Sequence, residues 1–191
     1  MPAKLTEEVL KAYEVLKKGG VILYPTDTVW GIGCDATKPK AVERIFQIKQ
    51  RPENKSMIVL LDQFEKLYQY VAHVPDIALD LHNSISTPLT IVYPQAKNIA
   101  KNIISDDGSI AIRIVKDEFC QKLIGLLGKP LVSTSANLSG TQTPLIFYKI
   151  APEIVSQVDY VVNYHQGRIM QVKSSTIIKF NEKGEYEIIR S

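Results

Sequence analysis

The 191 residues predict one mixed α/β domain. Three observations predict it. Short apolar runs that read as strands are interspersed with stretches of helical spacing from end to end. No linker, repeat or low-complexity tract interrupts them. Hydrophobic residues make up 45% of the chain and charged residues 23%, ordinary for a globular protein long enough to bury a substantial core.

Taken in order, Thr6 is the expected cap of a first helix in which Val9, Tyr13 and Leu16 recur on one face, stopped by Gly19 and Gly20. Residues 21–24 are an apolar run expected to be a buried strand, entering Pro25 and a polar turn. A second helix is expected over residues 39–49, with Val42, Ile45, Phe46 and Lys49 at helical spacing. Residues 57–61 read as a strand, and Asp62 as the opening of a capped helix. Residues 89–93 and 109–113 are further strands, 119–127 a helix closed by Gly128, and 131–132 a short strand behind Pro130. Residues 159–163 and 175–180 complete the strands, the latter turning back through 181–184 into 186–189.

The composition excludes several kinds of chemistry. His73, His82 and His165 are widely separated and fall in no metal-ligand or nucleophile pattern, so each reads as a surface or structural histidine. Cys34 and Cys120 read as free thiols. No nucleophile elbow or dinucleotide fingerprint occurs, and Gly125 to Pro130 is too short for a phosphate-binding P-loop, with proline in place of the magnesium-binding hydroxyl. No apolar run approaches a membrane span, and the first residues lack the order of a signal peptide, so a cytoplasmic location is expected. The formal net charge of +3 does not announce a nucleic-acid binder, although a basic cleft is compatible with it. Hydroxyls, amides and cations remain, groups suited to anions and to positioning.

Three segments place such groups at strand ends, where open α/β sheets hold ligands. Tyr24-Pro25-Thr26-Asp27-Thr28-Val29-Trp30-Gly31-Ile32-Gly33 offers hydroxyls in a glycine-punctuated turn, and an ordinary Pro-Thr-Asp turn accounts for it slightly better on spacing alone. Lys49, Arg51 and Lys55 leave a helix end together, an arrangement that C-terminal dipole pairing on a solvated face also explains. Ser133, Thr134, Ser135, Asn137 and Ser139 follow a strand in numbers that exceed the needs of a turn, and are expected to form a loop presenting hydroxyls and backbone N–H groups to phosphate oxygens. Arg113 ends an apolar strand, and Ser175 opens a later one.

In order, P-T-D-T-x-x-G-x-G, K-x-R-P, A-x-R, S-T-S-A-N-x-S-G and S-T-I resemble the YrdC-type threonylcarbamoyl-AMP synthases, over about residues 19–178 of a single domain spanning 1–191. The resemblance implies a twisted α/β sheet around a large basic cleft. It implies a nucleotidyltransferase that joins L-threonine, bicarbonate and ATP, with Mg2+, into threonylcarbamoyl-adenylate and pyrophosphate. A downstream transferase complex would then modify adenosine 37 of tRNA. It further implies that Thr26 contacts threonine and Arg113 its carboxylate or the carbamate. Lys49 and Arg51 would hold the triphosphate as the catalytic pair. Ser109, Ser133, Ser135 and Asn137 would line the nucleotide and acyl-phosphate region, with Ser175 and Arg190 on the nucleotide from the C-terminal side. This chain departs from the family pattern at residues 85–90, where W-P-G-P-L-T is usual, and at Trp30, Ser56 and Val115. None of these departures removes a charged or hydroxyl group. Two rival readings predict otherwise. A module binding tRNA or double-stranded RNA would show steep salt dependence and no turnover. A domain acting on carbamoyl phosphate, as in hydrogenase-maturation proteins, belongs to longer chains with zinc-finger and acylphosphatase parts.

Overall fold

The computed structural model describes residues 2–50, 57–170 and 175–190. Its helices are α1 (Pro2–Lys17), α2 (Pro39–Lys49), α3 (Leu67–Tyr70), α4 (Ile77–Ser84), α5 (Glu118–Leu127) and α6 (Pro152–Val155). Its strands are β1 (Ile22–Tyr24), β2 (Gly31–Gly33), β3 (Ile58–Leu61), β4 (Leu89–Tyr93), β5 (Ile110–Ile114), β6 (Leu131–Ser135), β7 (Tyr160–Val161), β8 (Thr176–Phe180) and β9 (Tyr186–Arg190). They form one mixed sheet in the order β7-β1-β2-β6-β3-β5-β4-β8-β9. The pairs β1–β7, β3–β5 and β4–β8 are parallel, and the others are antiparallel. The expected α/β class holds. Among the described residues no helix is long and apolar enough to cross a membrane.

Alternation along the strands sorts the core onto two faces. Leu23, Val59, Leu61, Ile91, Ile110, Ile112, Val132 and Ile178 point to one face, packed against α2 through Val42, Ile45 and Phe46. Ile22, Tyr24, Leu60 and Leu131 point to the other, under α1 and α5 through Val9, Ala12, Leu16, Phe119 and Leu123. These two helices cover only part of that second face. Two residues beyond Leu60 and Leu131, on the same face, the row Ser133–Ile58–Ala111–Val92–Lys179 runs across five strands and lines an open cleft. The site is the stretch of sheet that its own helices leave uncovered.

Several element boundaries differ from expectation for local reasons. Thr6 lies inside α1, which starts at Pro2, so it is not the cap. Asp62 does not cap a helix either: Lys66 Nζ donates to it at 2.7 Å, and a 3-10 turn starts at Phe64. Gly128 does close α5, in the left-handed region at φ 63, and Asp117 caps its start by accepting from the Cys120 amide. The turn expected after Tyr24 contains strand β2. Gly33 is required there by packing, because a Cβ on it would fall 2.3 Å from the Val132 carbonyl and 2.7 Å from the Tyr24 ring. Helix α4, with its weak periodicity, and the short α6 escaped the sequence pattern.

Candidate active-site cleft

A cleft of about 1020 Å³ opens over this uncovered face. Its walls carry the hydroxyls of Thr26, Thr28, Ser109, Ser133, Ser135, Thr143 and Ser175, three cations (Arg113, Lys179, Arg190) and two carboxylates (Asp106, Asp107). Seven of the residues expected from the sequence therefore meet in one volume: Thr26, Ser109, Arg113, Ser133, Ser135, Ser175 and Arg190. Lys49 and Asn137 stand behind the wall, and Arg51 lies outside the described residues.

β5 shows how the sequence places the cleft residues. In S-I-A-I-R, Ser109, Ala111 and Arg113 alternate toward the cleft while Ile110 and Ile112 enter the opposite core. Arg113 is 4% exposed. Its Nη2 lies 3.1 Å from Asp27 Oδ1 and its Nη1 donates to Thr28 Oγ1 at 3.3 Å, while Nε is buried with no hydrogen-bond partner among the described residues. Asp27 and Thr28 reach it because the Thr26 hydroxyl folds the β1–β2 connection on itself. That oxygen donates to the Val29 carbonyl at 2.7 Å and accepts from the amides of Thr28 and Val29. Thr26 therefore shapes the turn as well as lining the cleft.

The Ser133–Ser135 segment corrects an expectation. It is not a loop after a short strand but the second half of β6, paired with β3 at Ser133 and with β2 at Thr134 and Ser135. The amides that follow are also engaged: Ala136 N–H donates to the Trp30 carbonyl, Asn137 N–H to that of Ser135, and Ser139 N–H to that of Lys49. The segment thus offers the cleft hydroxyls rather than a nest of backbone donors. Ser135 Oγ donates to Asn137 Oδ1 at 2.5 Å, and Asn137 Nδ2 donates to the Leu138 and Thr141 carbonyls. Lys49, 2% exposed, donates its ammonium to the carbonyls of Ser135 at 2.5 Å and Asn137 at 2.7 Å. Its ammonium sits directly behind this wall.

On the opposite side Ser175 Oγ is 2.8 Å from Thr90 Oγ1, and Arg190 donates to the Ser175 carbonyl from Nε and Nη2. Burial, and next the charge of Arg113, lower the pKa of Arg190, so the two guanidinium groups share one electrostatic environment. Asp107 accepts from Lys179 Nζ at 2.8 Å and from both the hydroxyl and the amide of Ser109. Thr28 belongs to the hydroxyl-bearing turn singled out in the sequence, although no role was assigned to it there; Asp107, Thr143 and Lys179 were missed, and lie in segments with no motif. Among the described residues no group of three His, Cys, Asp or Glu side chains is placed to hold a metal ion. Of the two carboxylates that line the cleft, Asp107 faces Lys179, and behind the wall Asp27 faces Arg113.

A family model, Sua5_yciO_yrdC, with the description "Telomere recombination", matches residues 14–191. A threonylcarbamoyl-AMP synthase of Pseudoalteromonas translucida (strain TAC 125) is 40% identical over 158 residues, covering 81% of this chain and 84% of its own. The structure of P. abyssi Sua5 complexed with L-threonine superposes with a TM-score of 0.86 at 28% identity, over 95% of this chain and 53% of that one. E. coli YciO superposes with a TM-score of 0.82 at 27% identity, over 96% and 88%. This chain thus spans about half the length of that Sua5 and most of the other two relatives.

Proposed function

The chain belongs to the Sua5/YciO/YrdC family, and from that membership we propose that it is a threonylcarbamoyl-AMP synthase, a transferase of the nucleotidyl class that serves tRNA modification. It uses L-threonine, bicarbonate and ATP, and releases threonylcarbamoyl-adenylate and pyrophosphate in the cytoplasm, where those substrates and tRNA are present together. The observation that carries this reading is the meeting of Arg113 and Arg190 with a ring of hydroxyls in one large cleft on the sheet.

The neutral amine of threonine forms an N–C bond to bicarbonate carbon with loss of water, and an oxygen of the resulting N-carboxythreonine forms a bond to the α-phosphorus of ATP while the bond to the bridging oxygen of pyrophosphate breaks. The electron pair leaves on pyrophosphate. The nucleophile is already an anion, so the step requires no general base. The barrier is the approach of anion to anion, which at ~4 Å amounts to several kcal/mol at a protein-like dielectric. Arg113 binds the carboxylate or carbamate beside Thr26. Arg190 and Ser175 hold the nucleotide, while Ser109, Ser133, Ser135 and Asn137 order the region of the acyl phosphate. Arg51 takes the triphosphate, and Lys49 places an ammonium behind Ser135. Magnesium enters as part of the nucleotide substrate. The unstable product passes to a threonylcarbamoyl transferase complex.

The test is incubation with threonine, bicarbonate, ATP and magnesium. Threonine-dependent pyrophosphate and an AMP ester are expected; ATP turnover that ignores threonine overturns the reading. The rival RNA module is less well supported, because among the described residues no aromatic side chain lines the cleft to stack a base.

A further inference from the structure

Resting on the synthase reading, we propose that Asp27 is the positioning residue of the reaction: it holds the Arg113 guanidinium from behind and so fixes the cation that receives threonine. Asp27 is not among the residues lining the cleft, yet its Oδ1 lies 3.1 Å from Arg113 Nη2. The carboxylate side chain is 19% exposed and the guanidinium 4%. No other carboxylate forms an ion pair with Arg113 among the described residues. A buried cation with one counter-ion depends on it, because removing either partner leaves an uncompensated charge away from water.

The surrounding bonds support an orienting role. Thr26 Oγ1 ties the turn so that Asp27 and Thr28 arrive together at the same guanidinium, one at Nη2 and the other at Nη1. With both terminal nitrogens held, the plane of the group is set before a substrate arrives. Arg113 Nε and Asp27 Oδ1 are both buried without a hydrogen-bond partner, so the pair is in contact but not closed as a two-pronged bridge. Such an incomplete pair leaves the cation able to accept a further anion, which a saturated bidentate bridge would resist.

The experiment has a kinetic and a stability arm. Asp27→Asn should raise the KM for threonine about tenfold or more while the KM for ATP moves less than about twofold, and Asp27→Glu should recover most of the loss. A purely structural role would move both constants together. In the second arm, thermal unfolding is followed for Asp27→Asn, Arg113→Gln and the double variant. Asp27→Asn should lower the Tm by about 5 °C, and adding Arg113→Gln should restore part of it. Additive losses in this cycle, or parallel changes in both KM values, overturn the proposal. Wild-type protein without threonine-dependent pyrophosphate release sinks the synthase reading instead, and the unfolding cycle then decides the Asp27–Arg113 coupling alone.

Discussion

Asp107 accepts from three donors at the rim of the cleft, and its pKa of about 2 follows from them: the Lys179 ammonium first, then the hydroxyl and amide of Ser109. The sign of its contribution is set by that depression. Against an ordinary carboxyl value of 3.8, the stability from this cluster is complete above about pH 4 and is lost as pH falls toward 2. Both side chains are well exposed, so water screens the pair and its main role is to orient Ser109. Lys179→Met should move the Asp107 titration upward, read by carbon NMR of the carboxyl. An unmoved midpoint would assign the depression to Ser109. Cys34 and Cys120 are deep in the core, and burial first, then the charges of Asp35 and Asp117 respectively, raise both thiols, which makes them packing groups and not nucleophiles.

At the level of elements, the β1–β2 hairpin and the end of β6 make the site. The ring of Tyr24 lies across Gly31 and Gly33, and its hydroxyl donates to the Val132 carbonyl at 3.1 Å, holding β1 against β6. Gly33→Ala drives a methyl into backbone and ring at once and should cost about 3 kcal/mol, a fall in Tm of about 6–12 °C for a chain of this size. Gly31→Ala meets its nearest neighbours only at 3.3–3.4 Å and should cost less. An equal loss for both would refute the ring contact as the cause. Lys49 joins α2 to β6 in both directions, its ammonium reaching two carbonyls and its own carbonyl accepting from Ser139. Lys49→Ala should abolish pyrophosphate release and also speed hydrogen exchange at the Asn137 and Ser139 amides, since the Asn137 carbonyl loses its ammonium donor at about 1–3 kcal/mol and that of Ser135 keeps only the Asn137 amide. Lost activity with unchanged exchange would restrict Lys49 to charge.

Over the whole molecule, the chain carries a net charge of only +3, and three cations meet in one cleft, Lys179 paired with Asp107 and Arg113 with Asp27, with Arg190 in no ion pair among the described residues and Lys49 close behind. Their combined field should make the KM for ATP rise severalfold between about 0.05 and 0.5 M salt, as the screening length shortens from ~14 Å to ~4 Å. The Tm should change little, because the core that covers the other sheet face is apolar. A KM indifferent to salt would remove electrostatic neutralisation from the mechanism. The extent to which all this was legible in the chain follows from distance along the backbone. The strand S-I-A-I-R, the helix 39–49 and the Gly128 stop are patterns within a dozen residues, and their period and punctuation are set by backbone geometry. So are the residue types: hydroxyls and cations without a histidine or cysteine nucleophile, in the order the family shares. What only the tertiary structure decided is which groups meet. Arg113 finds Asp27 and Thr28, 86 and 85 residues away, Lys49 finds Ser135 and Asn137, and Ser133–Ser135 becomes a strand by pairing on both sides. Pairing across such separations depends on the order of strands in the sheet. The cleft depends on where α1 and α5 stop covering it, and no local period encodes either.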